Sequence, residues 1–283
     1  MGKIGVLVIH GMGDQPDDFH LGFKEGITDY YEGDKSELNI QPIHWSYILN
    51  DSQRDILNKT EQYSLHYSKH LRPFVVNYLA DVIAYQKTFE KSEFAEKTKG
   101  EYGDRGIYHL IQDLISSKIK IMKNEIGEDS PIVMVGHSLG SIMLLNYLHD
   151  TQKEESVKNS RKWNFEDKFN LVGLITMGSP LALWLLRYNN FGKAINFPLK
   201  TTLPQYHKVC RWKNYYDKDD ILAYPLKCLN DTYGRLACLE DIEVNAGNIL
   251  TEWNPLSHNG YFGEDVIRKE IAEYLFQIRG IIA

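Results

Sequence analysis

Cysteine is scarce in this chain: Cys210, Cys228 and Cys238 are the only three among 283 residues. An odd count without regular spacing excludes the disulfide framework that stabilises many small secreted domains. Long apolar runs are also missing, and none approaches the roughly 18 residues that a membrane-spanning helix needs. Met1-Gly2-Lys3 leads into a strand-like run rather than the apolar core of a signal peptide. Val6 stands where a myristoylation start needs Ser or Thr. A cytoplasmic location and no membrane span are therefore expected. Basic charge is not in excess either. Lys and Arg number 32 against 38 Asp and Glu, a net charge of −6, which argues against a nucleic-acid partner. The basic cluster at 158–162 is short and mixed with polar residues, as in a solvated loop.

Metal-binding patterns are absent as well. Neither His-Glu-x-x-His nor Cys-x-x-Cys occurs, and His20, His44, His66, His70, His109, His149 and His207 show no ligand spacing. Asp217, Asp219 and Asp220 lie close together, but no calcium loop of about 12 residues surrounds them. No metal and no cofactor are expected. A hydrophobic content of 43% with 12% aromatics excludes a disordered chain. A chain of 283 residues can close one α/β domain with an ample core.

What the chain does carry is centred on Gly136-His137-Ser138-Leu139-Gly140. The apolar run Pro131 to Val135 precedes this pentapeptide, and a helical pattern from Ser141 to Leu148 follows it. Strand, tight turn and helix are the context in which a serine serves as nucleophile. Gly136 and Gly140 would permit the turn, and the N-terminal amides of the following helix favour developing negative charge. His137 beside the nucleophile should point away from it and act structurally. Near the N-terminus, Lys3 to Ile9 reads as a buried strand ending in His10-Gly11-Met12-Gly13-Asp14. A Gly-rich loop there suits an oxyanion site, with the backbone N–H groups of Met12 and Leu139 as donors. His10 should hydrogen-bond that loop rather than transfer protons.

The C-terminal third supplies the remaining chemistry. Val209 to Tyr216 reads as a strand running into Asp217-Lys218-Asp219-Asp220-Ile221-Leu222. Leu239 to Val244 alternates like a further strand, and the next loop carries Ser257-His258. The chain order is thus Ser138, an Asp within 217–220, then His258.

These segments resemble the α/β-hydrolase superfamily, and more narrowly a lipase- or esterase-type serine hydrolase. The resemblance rests on His10 to Gly13, Gly136 to Gly140, Asp220-Ile221-Leu222 and Ser257-His258. It implies a mostly parallel central sheet with helices on both faces. The leading antiparallel hairpin of larger members would be missing, because the oxyanion strand comes first. It implies a catalytic set of Ser138, Asp220 and His258, with Asp217 and Asp219 still open as the acid because the following proline arrives early. The expected activity is cleavage of a small-molecule carboxylic ester, possible lipids included, through an acyl-enzyme. The same fold also serves acyltransferases and thioesterases, and a non-enzymatic binding module is the reading from a different class.

The rest of the chain alternates as a parallel sheet requires. A first helix is expected over 17–32, a second strand over 38–49, a long helix over 104–126, a strand over 170–177 and a last helix over 261–279. The polar stretch 151–168 reads as a mobile surface connection. Residues 51–100 form a helical insertion whose apolar residues Ile56, Tyr63, Tyr67, Leu71, Phe74, Tyr78, Val82, Tyr85 and Phe89 recur at helical spacing, with Pro73 dividing it. One role for it is a cap over Ser138, with Tyr63 and Phe74 shaping an acyl pocket. The other is an element that simply packs on the body.

Overall fold

The computed structural model describes residues 2–61, 79–86, 106–154, 168–246 and 257–282. Six strands are β1 (Ile4–Ile9), β2 (Leu38–Ile43), β3 (Pro131–His137), β4 (Asn170–Met177), β5 (Arg211–Tyr216) and β6 (Leu239–Glu243). Helices with both ends among the described residues are α1 (Leu21–Tyr30), α2 (Tyr47–Glu61), α3 (Gly106–Ile126), α4 (Leu139–Glu154), α5 (Leu181–Leu185), α6 (Asp231–Gly234) and α7 (Asp265–Ile282), and residues 79–84 are helical too. A single all-parallel sheet has the order β2-β1-β3-β4-β5-β6.

Burial follows from that order. β1, β3 and β4 lie inside the sheet, and every residue of IGVLVI, PIVMVGH and NLVGLITM is buried. Central parallel strands are covered on both faces, so they read as continuous apolar runs rather than alternating ones. The outermost strands differ. β2 accommodates Pro42, which a sheet tolerates at its edge, and β6 carries Glu240, Asp241 and Glu243. α3 packs on β1 and β2 beside α4, while α1 and α7 pack on each other, with α7 also reaching β1. Tyr274 of α7 anchors its helix by donating to the carbonyls of Val172 and Val209.

The chain starts at β1, adds β2 on one side, then crosses back to β3 on the other side. With right-handed crossovers, this reversal opens a crevice beyond the carboxyl ends of β1 and β3, the usual ligand position in open α/β sheets. In the register Ile9 is opposite Gly136, His137 opposite Met177, and Tyr216 opposite Glu243. The loops after all these strands therefore leave the sheet at one edge.

Several boundaries differ from the sequence reading. The first helix is shorter, Leu21–Tyr30 instead of 17–32. β2 stops at Ile43, not near 49, and α2 already starts at Tyr47. The cause is tertiary: Trp45 donates its backbone N–H to His10 Nε2 (3.1 Å) and its indole N–H to His10 O (3.0 Å), which bends the chain out of the sheet. α4 continues through 151–154, so the expected surface connection begins as helix, and 155–167 lie outside the described residues. The last α-helix begins at Asp265, preceded by a 3₁₀ segment, Ser257–Gly263.

Most of the 51–100 insertion, including Tyr63, Tyr67, Leu71, Pro73, Phe74, Tyr78 and Phe89, lies outside the described residues. Residues 79–86 are described: Asp81 and Tyr85 are buried, while Leu79 and Ile83 are exposed. Tyr85 is fully buried, stacks on Tyr108 and accepts hydrogen bonds from Gln112 (2.7 Å) and Asn146 (3.3 Å). Asp81 accepts the backbone N–H of Gly13 at 2.7 Å, which ties the insertion to the loop after β1.

Candidate active site

Ser138 occupies the sharp turn between β3 and α4. Its φ of 50° is a left-handed conformation that costs a non-glycine residue energy and persists only where the surroundings enforce it. They do so here: the Ser138 N–H donates to Met177 O at 2.9 Å, and Ser138 O accepts from the Ser141 hydroxyl. Ser141 is in turn 2.6 Å from the Ser179 hydroxyl after β4. The turn is possible because both flanks lack side chains. A Cβ on Gly136 would come within 2.7 Å of Ser141 Cα, and one on Gly140 within 2.4 Å of His10 O.

The loop after β1 lies directly against this turn, and a Cβ on Gly11 would be 2.7 Å from Ser138 Cβ. His10 holds the base of that loop. Its Nδ1 lies 2.8 Å from Gly11 O, its Nε2 accepts from Trp45 N–H, and its ring stacks on the Trp45 indole. A carbonyl can only accept and an amide N–H can only donate, so the proton sits on Nδ1 and the ring is neutral. Met12 and Leu139 are both buried; Leu139 follows Ser138 in the chain, and Met12 follows Gly11, whose backbone lies against Ser138. Among the described residues, no protein acceptor takes the N–H of either one.

Three side chains named from sequence converge. His258 Nε2 is 2.6 Å from Ser138 Oγ, and His258 Nδ1 is 2.7 Å from Asp220 Oδ2. The carboxylate fixes the tautomer, with the proton on Nδ1 and Nε2 free to accept from the serine hydroxyl. Ser138, His258 and Asp220 are each no more than 4% exposed. Of the three acidic candidates, Asp220 is the one at the imidazole. Asp219 points to solvent, and the buried Asp217 carboxylate accepts the backbone N–H groups of Asp219 (2.9 Å) and Ala246 (2.6 Å). Asp217 therefore shapes the loop that presents Asp220. Burial works against ionisation of Asp220, yet hydrogen bonds from His258, Leu222 N–H and Tyr261 outweigh it and hold its pKa below the ordinary carboxylate value.

Two neighbours were not assigned a part in this cluster from sequence. The Tyr261 hydroxyl donates to Asp220 Oδ2 at 2.9 Å while accepting the Asp217 N–H at 3.0 Å. Burial, then the nearby Asp220 charge, pushes its pKa up, so it stays a donor. Its signal was the spacing: His258 and Tyr261 are three apart on a 3₁₀ segment, where side chains at i and i+3 eclipse. His137 is more than filler. Its Nε2 lies 2.6 Å from His258 O and so donates to the backbone that carries the imidazole.

No group of His, Cys, Asp and Glu that could hold a metal ion occurs among the described residues. Nor is any described helix long and apolar enough to cross a membrane. All three cysteines are free thiols. A scan against protein-family models finds no match, and a search of curated proteins finds no significant relative.

The two structural histidines predict an acid sensitivity. Burial pushes both His10 and His137 from 6.5 down to about 3. Between those values the unfolded chain binds protons that the folded chain refuses. Stability therefore falls as pH drops from 6.5 toward 3, with an uptake on unfolding of about one proton per ring. Urea unfolding at stepped pH measures the slope. His10→Gln, which keeps one donor and one acceptor, should reduce it by about one proton. An unchanged slope would mean that His10 is not held neutral.

Proposed function

We propose that this protein is a serine hydrolase of the α/β-hydrolase type that cleaves carboxylic esters through an acyl-enzyme. The observation that carries this reading is the hydrogen-bonded chain Ser138 Oγ–His258 Nε2 and His258 Nδ1–Asp220 Oδ2, set at a serine with positive φ. A positive φ at a serine whose hydroxyl is aligned with an imidazole is a costly local arrangement that packing alone does not require. The strand order supports the reading too, since the serine, the acid and the histidine follow β3, β5 and β6 at one edge of a parallel sheet.

The chemistry follows from the geometry. His258 removes the Ser138 proton as Oγ attacks the ester carbonyl, and Asp220 stabilises the imidazolium that forms. The N–H groups of Met12 and Leu139 receive the oxyanion, each contributing roughly 3 kcal/mol to the barrier reduction. His258 then protonates the departing alcohol. A water activated by His258 attacks the acyl-enzyme, which releases the carboxylate and restores Ser138. Transfer of the acyl group to an acceptor other than water would use the same residues, and product analysis separates the two outcomes.

The test is an alkyl fluorophosphonate, which phosphonylates an activated serine. Peptide mapping should place the adduct on Ser138, and nitrophenyl esters should be hydrolysed with release of free acid. Labelling at another residue, or none, would refute the reading. Tyr261 provides a second check as a positioning residue. Tyr261→Phe removes one donor to Asp220 and leaves the Asp217 N–H without its acceptor. The expected result is a kcat lowered by about tenfold with KM nearly unchanged, because the loss falls on stabilisation of the imidazolium rather than on substrate binding. A raised KM at constant kcat would place Tyr261 in substrate binding instead.

A further inference from the structure

Away from the serine, a cavity of about 460 Å³ lies between α4, α5, the loop 192–196 and α6. That volume falls in the range of small-molecule sites. Its apolar part is formed by Ile142, Leu145, Leu181, Leu185, Trp184 and Trp212. Its polar part carries Lys153, Lys193 and His149. None of Ser138, Asp220 and His258 lines it. At 1.5 Å per residue, Lys153 lies about 21 Å along α4 from Leu139 beside the nucleophile.

Charge gives the cavity its character. The chain has more acidic than basic residues, yet among the described residues no Asp or Glu lines this cavity. The closest carboxylate to its histidine is Asp150, 3.5 Å from His149 and already accepting from the Tyr108 hydroxyl. Among the described residues, no carboxylate pairs with Lys193. A cavity that joins an aliphatic and indole surface to a cationic end matches one ligand chemistry, an apolar tail with a single anionic head.

The walls are fixed without a ligand. Gln152 of α4 and the backbone of Asn196 exchange hydrogen bonds of 2.9 and 3.0 Å. Ala194 N–H donates to Thr232 Oγ1 at 3.0 Å, and Asn230 Nδ2 donates to Gly192 O at 3.0 Å. The loop is thus tied both to α4 and to α6, and binding would need little ordering of the protein.

We infer that this cavity is a second binding site, separate from Ser138, for an aliphatic carboxylate whose tail lies against Trp184 and whose carboxylate meets Lys193. The inference does not depend on the hydrolase reading, since it concerns binding without turnover.

Tryptophan fluorescence is the natural readout, because two indoles line the site. The full chain is titrated with decanoate, and with decanol as the uncharged control. Decanoate should give a saturable change with a dissociation constant on the order of tens of micromolar. Lys193→Glu, at an exposed position, should weaken decanoate by at least about tenfold while leaving decanol unchanged. Ala194→Phe, which fills the cavity, should weaken both. No saturable change in the unaltered protein overturns the proposal. So does equal affinity for decanoate and decanol, or decanoate binding that neither substitution affects. Loss of ester hydrolysis with decanoate binding intact would sink the hydrolase reading alone.

Discussion

Replacing Ser138 by alanine is expected to abolish ester turnover and fluorophosphonate labelling together. The loss should reach about a million-fold in kcat, because no neighbouring hydroxyl can substitute. The Ser141 and Ser179 hydroxyls are committed to each other and to Ser138 O. Folding should be nearly unaffected. Alanine retains the Cβ, the same φ of 50° is imposed by the Ser138 N–H to Met177 O bond, and the one lost partner is the His258 Nε2 contact. Calorimetry should therefore find a melting temperature close to that of the parent. A variant that still labels fully would remove Ser138 from the chemistry. One that loses activity by unfolding would show that the hydroxyl is a structural tie.

The parts legible in the sequence were those that local rules dictate. The strand before Ser138 is apolar throughout because a central parallel strand is buried on both faces. Glycines at 136 and 140 mark a turn that no side chain can enter. Asp220 could be preferred over Asp217 and Asp219 from the apolar pair after it, and its carboxylate lies against His258.

What escaped the sequence depends on contacts between distant segments. The alternation through residues 44–47 looked like more strand, but Trp45 is captured by His10, 35 residues away, and the chain turns into α2. Asp81 lies in a segment read as helical and aromatic, and nothing local connects it to Gly13, 68 residues earlier. The Tyr261 hydroxyl matters because two loops bring Asp217 and Asp220 to it from 44 and 41 residues away. Hydrogen bonds between loops leave no periodic trace, whereas burial within a sheet does.

The two aspartates of one loop should differ sharply in their effect on turnover. Asp220→Asn keeps the size of the side chain but turns an acceptor-only group into one that can also donate. The imidazole can then settle in the wrong tautomer, with Nε2 protonated and unable to take the Ser138 proton. Turnover should fall by about ten-thousand-fold, and some stability should go with it, since Leu222 N–H bonds one carboxylate oxygen and Tyr261 and His258 the other, while the amide offers a single acceptor oxygen. Asp217→Asn should cost stability while keeping most of the turnover. Its carboxylate touches no catalytic atom, but its two oxygens accept the N–H groups of Asp219 and Ala246 inside the protein. An amide has one acceptor oxygen for those two donors, and a buried donor left without a partner costs roughly 1–3 kcal/mol. The expected phenotype is lower stability with kcat reduced far less than in Asp220→Asn. Steady-state kinetics and thermal unfolding on the same two variants decide the matter. If Asp217→Asn were the inactive and stable variant, Asp217 and not Asp220 would be the group that orients His258.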